Sequence, residues 1–290
     1  MNYILNLDII TISILLVFAA SFIVQIFYYT FFYLRIALYK SKGGQVKEQF
    51  PVSIIICAKN EAAQLEAFLP NILEQEYPEY EVIVVNDGSD DGTEDILKLY
   101  QNKYSKLYVT TIPQSRNFGH NKKLAISIGL KAAKYDWVLL TDADCKPSSN
   151  QWIRTMQQKF EEKTDFVIGY GGYIAKKGLL NKIIRYDTLT IAIQYFTFAM
   201  AKLPYMGVGR NLAYRKAIFF ENNGFSAHLH LASGDDDLFV NENANKNILQ
   251  IVLDKNAFTF SLAESRFKAW FYQKKRHLTT AKHYKRKRFG

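Results

Sequence analysis

Two groups of acids stand out in this chain by their type and spacing. Asp142 and Asp144 lie one residue apart in Thr141-Asp142-Ala143-Asp144, directly after the apolar run Trp137-Val138-Leu139-Leu140. Such a run reads as a buried strand. Two carboxylates at its end would desolvate and repel each other unless positive charge sits between them. A hard divalent cation, magnesium or manganese, would remove that penalty and also bind phosphate oxygens. An Asp-rich turn capping the following helix is the ordinary alternative. The second group is Ser233-Gly234-Asp235-Asp236-Asp237-Leu238. Three consecutive carboxylates suit an exposed helix start or a site that needs a base.

Other residues add to these groups. Asn60-Glu61 follows the strand-like run Val52–Cys57, and Asp87 ends the run Glu81–Val85. Lys122 and Lys123 begin a helical stretch, where acids are normally preferred, so the pair implies a nearby anion. His120 reads as a loop residue. Near the C-terminus, Trp270-Phe271-Tyr272-Gln273-Lys274-Lys275-Arg276-His277 holds a glutamine and an arginine, the latter able to grip an anionic group through two bonds.

The elements that would position these residues alternate in type. Apolar runs at 52–57, 81–85, 107–112 and 137–140 read as strands. Helical spacing covers 65–73, 94–104 and 122–133. A βαβαβαβ order implies a parallel sheet with right-handed crossovers, and ligands bind beyond the C-terminal strand ends of such sheets. Asn60-Glu61, Asp87 and Asp142 with Asp144 all fall at such ends. The later part is less regular. Helices are expected over 152–160 and 179–203, and a strand over 165–170. The uncharged part of 179–203, Thr188 to Ala201, is short for a bilayer span, which points to a helix on the sheet or at a membrane surface.

At the other end of the chain, Ile9 to Leu34 is an uncharged run without Gly or Pro. As a helix it would measure about 39 Å, more than a bilayer's hydrocarbon thickness. No Lys or Arg precedes it, which argues against a cleaved signal peptide. Arg35, Lys40 and Lys42 follow it and place its C-terminal side in the cytoplasm.

The charge distribution narrows the function classes. Of 37 Lys and Arg residues, ten lie in Ser265–Gly290 with no acid. The remaining 27 match the 27 Asp and Glu of the rest. The chain is a neutral body with a basic tail, which fits anionic lipid better than nucleic acid. Two distant cysteines, Cys57 and Cys145, exclude a zinc-type spacing and a disulfide framework.

Three stretches carry a family resemblance. They are Val52-Ser53-Ile54-Ile55-Ile56-Cys57-Ala58-Lys59-Asn60-Glu61, Val84-Val85-Asn86-Asp87-Gly88-Ser89-Asp90-Asp91-Gly92-Thr93, and Thr141-Asp142-Ala143-Asp144. The chain resembles family 2 glycosyltransferases with the α/β GT-A fold, over roughly four-fifths of its length. The resemblance implies donor contacts at Ala58, Glu61, Asp87, Lys122, Asp142, Gln273 and Arg276, with Asp87 on the base of the nucleotide. It also implies a divalent cation, Mg or Mn, at Asp144 with Asp142. The Gly-Asp-Asp form of the family's base element puts the base at Asp236, with Asp235 beside it. Matching by distance to Leu238 puts it at Asp235. Met206 to Arg215 resembles the family's strand after the acceptor region. His277 stands where processive members have Trp, which argues against long-chain polymerisation.

These readings predict a membrane anchor over 1–40, a linker over 41–50, a catalytic domain over 51–264 and a basic juxtamembrane tail over 265–290. They predict an inverting, metal-dependent transferase on the cytoplasmic face of the cell (inner) membrane, single-pass in this chain. Its donor would be a nucleoside-diphosphate sugar, UDP-linked. Its acceptor would be a glycan or lipid-linked hydroxyl, with membrane lipid as a further partner and no nucleic acid. The alternatives are a non-catalytic membrane-associated binding protein on the same fold and a nucleotidyltransferase.

Overall fold

The computed structural model describes residues 8–40, 49–114, 121–226, 231, 233–244 and 248–284. The expectations for the linker, for His120 and for the basic cluster Lys285–Arg288 fall wholly or mostly outside these residues.

Helix α1 (Ile9–Tyr28) starts at Asp8, whose side chain accepts a hydrogen bond from the Thr11 amide at 2.8 Å. None of its residues is buried. A π-helical turn, Tyr29–Tyr33, carries it into α2 (Leu34–Ala37). Together they form a 29-residue apolar helix, Ile9–Ala37, that by length and composition fits a single-pass membrane anchor. Only its C-terminal end packs on the body. Phe32 stacks on Phe198 with centroids 4.5 Å apart, and Arg35 Nη1 donates to the Met200 carbonyl at 3.3 Å.

The next seven elements alternate as the apolar pattern requires. They are β1 (Val52–Ala58), α3 (Ala62–Leu73), β2 (Tyr80–Asp87), α4 (Thr93–Lys103), β3 (Leu107–Ile112), α5 (Lys122–Ala132) and β4 (Trp137–Asp142). The four strands are parallel in the order β3-β2-β1-β4. Their buried residues are mostly Val, Ile and Leu on both faces, as a sheet covered by helices demands. Register sets which residues share the C-terminal edge. Ala58 pairs with Asn86, and Cys57 pairs with Asp142. Ala58, Asp87 and Asp142 therefore end together there.

The second half adds β5 (Lys146–Pro147), α6 (Trp152–Gln157), β6 (Phe166–Gly169), β7 (Gly171–Tyr173), α7 (Leu179–Met200), β8 (Leu212–Arg215), α8 (Lys216–Glu221), α9 (Asp237–Asn243), β9 (Leu249–Val252), β10 (Thr259–Ser261) and α10 (Phe267–Ala281). Strand β8 inserts antiparallel between β4 and β6, and β9 pairs parallel with β6. The main sheet thus has seven strands, and β5-β10-β7 form a small second sheet beside it.

Some expectations needed adjustment. Helix α6 stops at Gln157 instead of residue 160, and α7 stops at Met200 instead of 203, because Lys202 takes a left-handed φ of 62°. The stretch 206–215 is strand only from Leu212. Gly209–Asn211 form a 3₁₀ turn that directs Arg210 inward. Half of the basic tail is the helix α10, which lies against the body.

Candidate active site

Two strand-end loops of the parallel half are stitched together. Asn60 adopts φ 58°, which Asn tolerates. Its Oδ1 accepts from the Asp90 amide at 2.9 Å, and its own amide donates to Ser89 Oγ at 2.9 Å. The Glu61 amide donates to Thr93 Oγ1 at 3.0 Å. Asp87 is buried at the end of β2. The Glu61 carboxyl is pushed up to about 7, first by burial and then by the charges of Asp144 and Asp142. Its Oε2 is buried with no hydrogen-bond partner among the described residues.

Asp142 and Asp144 leave β4 on the same edge. The two carboxylates and the Cys145 thiol place ligand atoms within 4.8 Å of one another. Burial and the neighbouring Asp142 raise Asp144 to about 6. Asp142 goes the other way. Burial opposes its charge, but Lys122, with Nζ 2.7 Å from Asp142 Oδ1, outweighs it and holds the carboxyl below its usual range. These residues fit a hard divalent cation. Asp144 is a half-buried carboxylate whose charge is not balanced by any close side-chain ion pair among the described residues, and its oxygens are the ligand type that magnesium and manganese take. Cys145 is not a ligand for such an ion. It is fully buried, its thiol is held far above the usual range by burial and the two Asp charges, and Sγ lies 3.7 Å from Asp144 Oδ1 as a weak donor.

The second acidic centre reaches the same place from the far half of the chain. Gly234, at φ 96°, turns the loop so that Asp236 caps α9. A side chain at 234 would also strike Leu238, with its Cβ 2.5 Å from Leu238 Cδ1. Asp236 Oδ2 accepts from the Gly209 amide at 2.7 Å, and Oδ1 accepts from the Asp237 amide at 2.7 Å. Burial, then Asp235 and Asp237, raise Asp236 to about 7. Asp235 is 3.2 Å from Lys122 Nζ. Lys122 therefore joins the two acidic centres. Burial works against its charge, yet Asp142, Asp235 and Asp236 hold its pKa well above the ordinary lysine value.

The two centres face a single cleft of about 480 Å³. Asp142, Asp144, Lys122, Asp235 and Asp236 line it, and Gln273 and Arg276 of α10 close one side. Ala58, Glu61 and Asp87 stand on the adjoining sheet edge outside that lining. Glu61 is near enough for the Asp144 charge to raise it. The expected residues thus gather at one end of the sheet.

Arg210 belongs to the site although sequence reasoning did not single it out. It lines the cleft, its Nη1 donates to the Gly172 carbonyl at 3.0 Å, and its guanidinium lies 4.5 Å above the Tyr173 ring. Its charge lowers both Asp142 and Asp144. A lone arginine inside an apolar strand lead-in, Gly207-Val208-Gly209-Arg210, was the one local signal. Its partners, Gly172 and Ser261, are distant in sequence and gave none.

The model of "Glycosyl transferase family 2" matches residues 53–220. A poly-beta-1,6-N-acetyl-D-glucosamine synthase of Staphylococcus epidermidis is 32% identical over 110 residues, which cover 38% of this chain and 25% of that protein. The matches to curated relatives span from 25% to 44% of those proteins' lengths. The mannosyltransferase PcManGT from Pyrobaculum calidifontis, solved in complex with GDP-Man and Mn2+, superposes with a TM-score of 0.69 at 21% identity, covering 93% of this chain and 74% of that one. S. aureus TarS 1-349 in complex with UDP-GlcNAc superposes with a TM-score of 0.53 at 20% identity, covering 74% and 59%. The chain shares the GT-A fold with these structures.

Proposed function

The chain belongs to glycosyl transferase family 2, and from that premise we propose that it is a membrane-anchored inverting glycosyltransferase. It moves a sugar from a UDP-linked donor to a hydroxyl of a glycan or lipid-linked acceptor in cell-envelope synthesis. One observation carries the reading. Two acidic centres some ninety residues apart in sequence line one cleft, and a lysine pairs with both.

Each centre has a role in this reading. Ala58, Glu61 and Asp87 hold the nucleoside at the sheet edge. Lys122, Gln273 and Arg276 grip the diphosphate with charge-assisted bonds. Asp144 and Asp142 would hold a divalent cation, which would supply positive charge against the departing diphosphate. Asp236 is the base. A sugar hydroxyl is a weak nucleophile at neutral pH, so a positioned group must take its proton. The Gly209 amide fixes Oδ2, and each oxygen of Asp236 keeps capacity for a further hydrogen bond. The acceptor oxygen bonds to the anomeric carbon as the bond from that carbon to the phosphate oxygen breaks. The hydroxyl proton ends on Asp236 and the nucleoside diphosphate leaves. Asp235 holds Lys122 and keeps the charge of Asp236 high in energy.

The apolar helix and the cations Arg35 and Lys40 after it support a cytoplasmic catalytic domain. Turnover with a panel of nucleotide sugars and manganese, in vesicles of the full chain, tests the proposal. Transfer from a UDP-sugar is expected, with a reporter after Gly290 on the cytoplasmic side. Binding without transfer or hydrolysis of any donor rules out the enzyme. Release of pyrophosphate from a nucleoside triphosphate and a sugar phosphate would make it a nucleotidyltransferase.

A further inference from the structure

The three adjacent carboxylates at 235–237 have three different sets of partners, and the third is unused by the mechanism above. Asp235 pairs with Lys122, and Asp236 accepts from Gly209. Asp237 turns away from both. Its Oδ2 accepts from Thr280 Oγ1 at 2.6 Å and from the Tyr284 hydroxyl at 2.8 Å. Its Oδ1 accepts from the Leu238 amide at 2.8 Å. Thr280 is 1% exposed, so the bond from its hydroxyl is shielded from water. Hydrogen bonds to an ionised acceptor are about twice as strong as neutral ones.

Thr280 and Tyr284 lie on α10 and just beyond its end. Gln273, His277 and Thr280 are spaced by four and three residues, so they share one face of α10, and the chain beyond it brings Tyr284 to the same carboxylate. That face also carries Arg276 at its margin and looks into the cleft. Nearer its start α10 is held by the ion pair of Lys274 with Asp187 on α7. Of the two residues assigned to the diphosphate, Gln273 adjoins that ion pair and Arg276 lies between it and Thr280. Arg276 and the half-buried Arg210 both line the cleft, while Lys274 is already paired with Asp187. The Tyr284 ring rests 6.2 Å from that of Tyr205, which limits its rotation.

We propose that Asp237 is a positioning residue that latches α10 over the cleft through Thr280 and Tyr284, and so sets Gln273 and Arg276 at the donor diphosphate. Both oxygens of Asp237 are taken by donors of the protein itself. This inference rests on the reading of Gln273 and Arg276 as donor ligands, and its test separates the two.

The double substitution Thr280→Val with Tyr284→Phe removes both donors and leaves the acid cluster intact. In the full chain in vesicles, hydrogen exchange of the α10 amides should become about tenfold faster, with the amides of β1 to β4 unchanged. Affinity for UDP-sugar should fall about tenfold while turnover at saturating donor stays near the original, because the latch acts on donor binding. Thr280→Ser, which keeps its hydroxyl, should match the natural protein in both measurements. Asp237→Asn should reproduce the double variant. Because that change sits at a helix start, the hydroxyl variants decide the matter if it fails to fold. Unchanged exchange in α10 of the double variant overturns the latch, and so does a loosened α10 with unaltered donor affinity. If the natural protein binds no nucleotide sugar, the transferase reading fails, and the exchange measurement alone then decides whether Asp237 holds the helix.

Discussion

The two acidic centres reach the cleft by opposite routes. Asp142 and Asp144 are delivered by β4, whose place in the parallel sheet is set by its apolar run and by register with β1. Asp236 is delivered by a loop whose position depends on Gly209, on the cap of α9 and on α10. The first centre is a property of local alternation. The second is a property of three distant segments that must dock together. Their electrostatics differ in the same way. One member of the first centre is held low by Lys122 while its neighbour rises to about 6, so the pair keeps one site for a cation. Asp236 rises to about 7 and meets no cation as closely as Asp142 does. A lone carboxylate ionised near neutral pH suits proton transfer, whereas two carboxylates side by side suit a shared cation.

The division can be broken most forcefully at the two centres themselves. Asp144→Asn, or EDTA, should remove nearly all turnover and also weaken UDP-sugar binding measured with manganese. Asp236→Asn should lower turnover by a factor on the order of 10²–10⁴ with donor affinity almost unchanged. Calorimetric titration of both variants with UDP-sugar checks this. If Asp236→Asn loses donor binding as Asp144→Asn does, the centres do not divide the work.

A pH profile sharpens the comparison with a smaller effect. The Asp236 carboxyl must be ionised to take a proton, so kcat/KM should rise with pH and level off above about 7. Burial raises this group most, and the adjacent acids add to it. Asp235→Asn removes one like charge and should move the rising limb to lower pH, by on the order of half a unit to one unit. A limb that stays in place in Asp235→Asn would assign the ionisation to another group.

The smallest expected effect concerns the frame under the first centre. Helix α5 carries Lys122, and Gly129 on the same helix rests on β1. A Cβ there would lie 2.6 Å from Ile55 Cγ2 and 3.3 Å from Val85 Cγ2. Gly129→Ala should cost about 1–3 kcal/mol of stability by overpacking. It should also weaken donor binding a few-fold, because α5 shifts Lys122, while the pH limb of Asp236 stays in place. Denaturant unfolding and donor titration measure the two parts. Unaltered stability would show that α5 rests on the sheet more loosely than the packing indicates.

The legibility of the chain in sequence obeys the same division. The four parallel strands and the helices between them were readable because each is a continuous apolar run of the right period. That Asp87, Asp142 and Asp144 share one edge was readable because strand ends of such a sheet converge by topology alone. The small sheet β5-β10-β7 was not, because its strands are two or three residues long and take their pairing from segments 88 to 114 residues away. Arg210 passed unnoticed since a 3₁₀ turn, not a period, points it inward. Lys122 was read as a phosphate ligand from its place at a helix start. Its pairing with two carboxylates, 20 and 113 residues away, could not be read there.

The amino-acid sequence by itself determined the N-terminal apolar helix, the parallel half-sheet and the residue types at its edge, since hydrophobic period and turn chemistry act over a few neighbouring residues. Only the tertiary structure decided what Asp235, Asp236 and Asp237 each do. In sequence the three are the same side chain repeated. In the fold one meets Lys122, one meets the Gly209 amide and one meets Thr280 with Tyr284. A carboxylate's pKa and role depend on its solvation and on the charges within a few ångströms, and those neighbours come together only when distant segments pack.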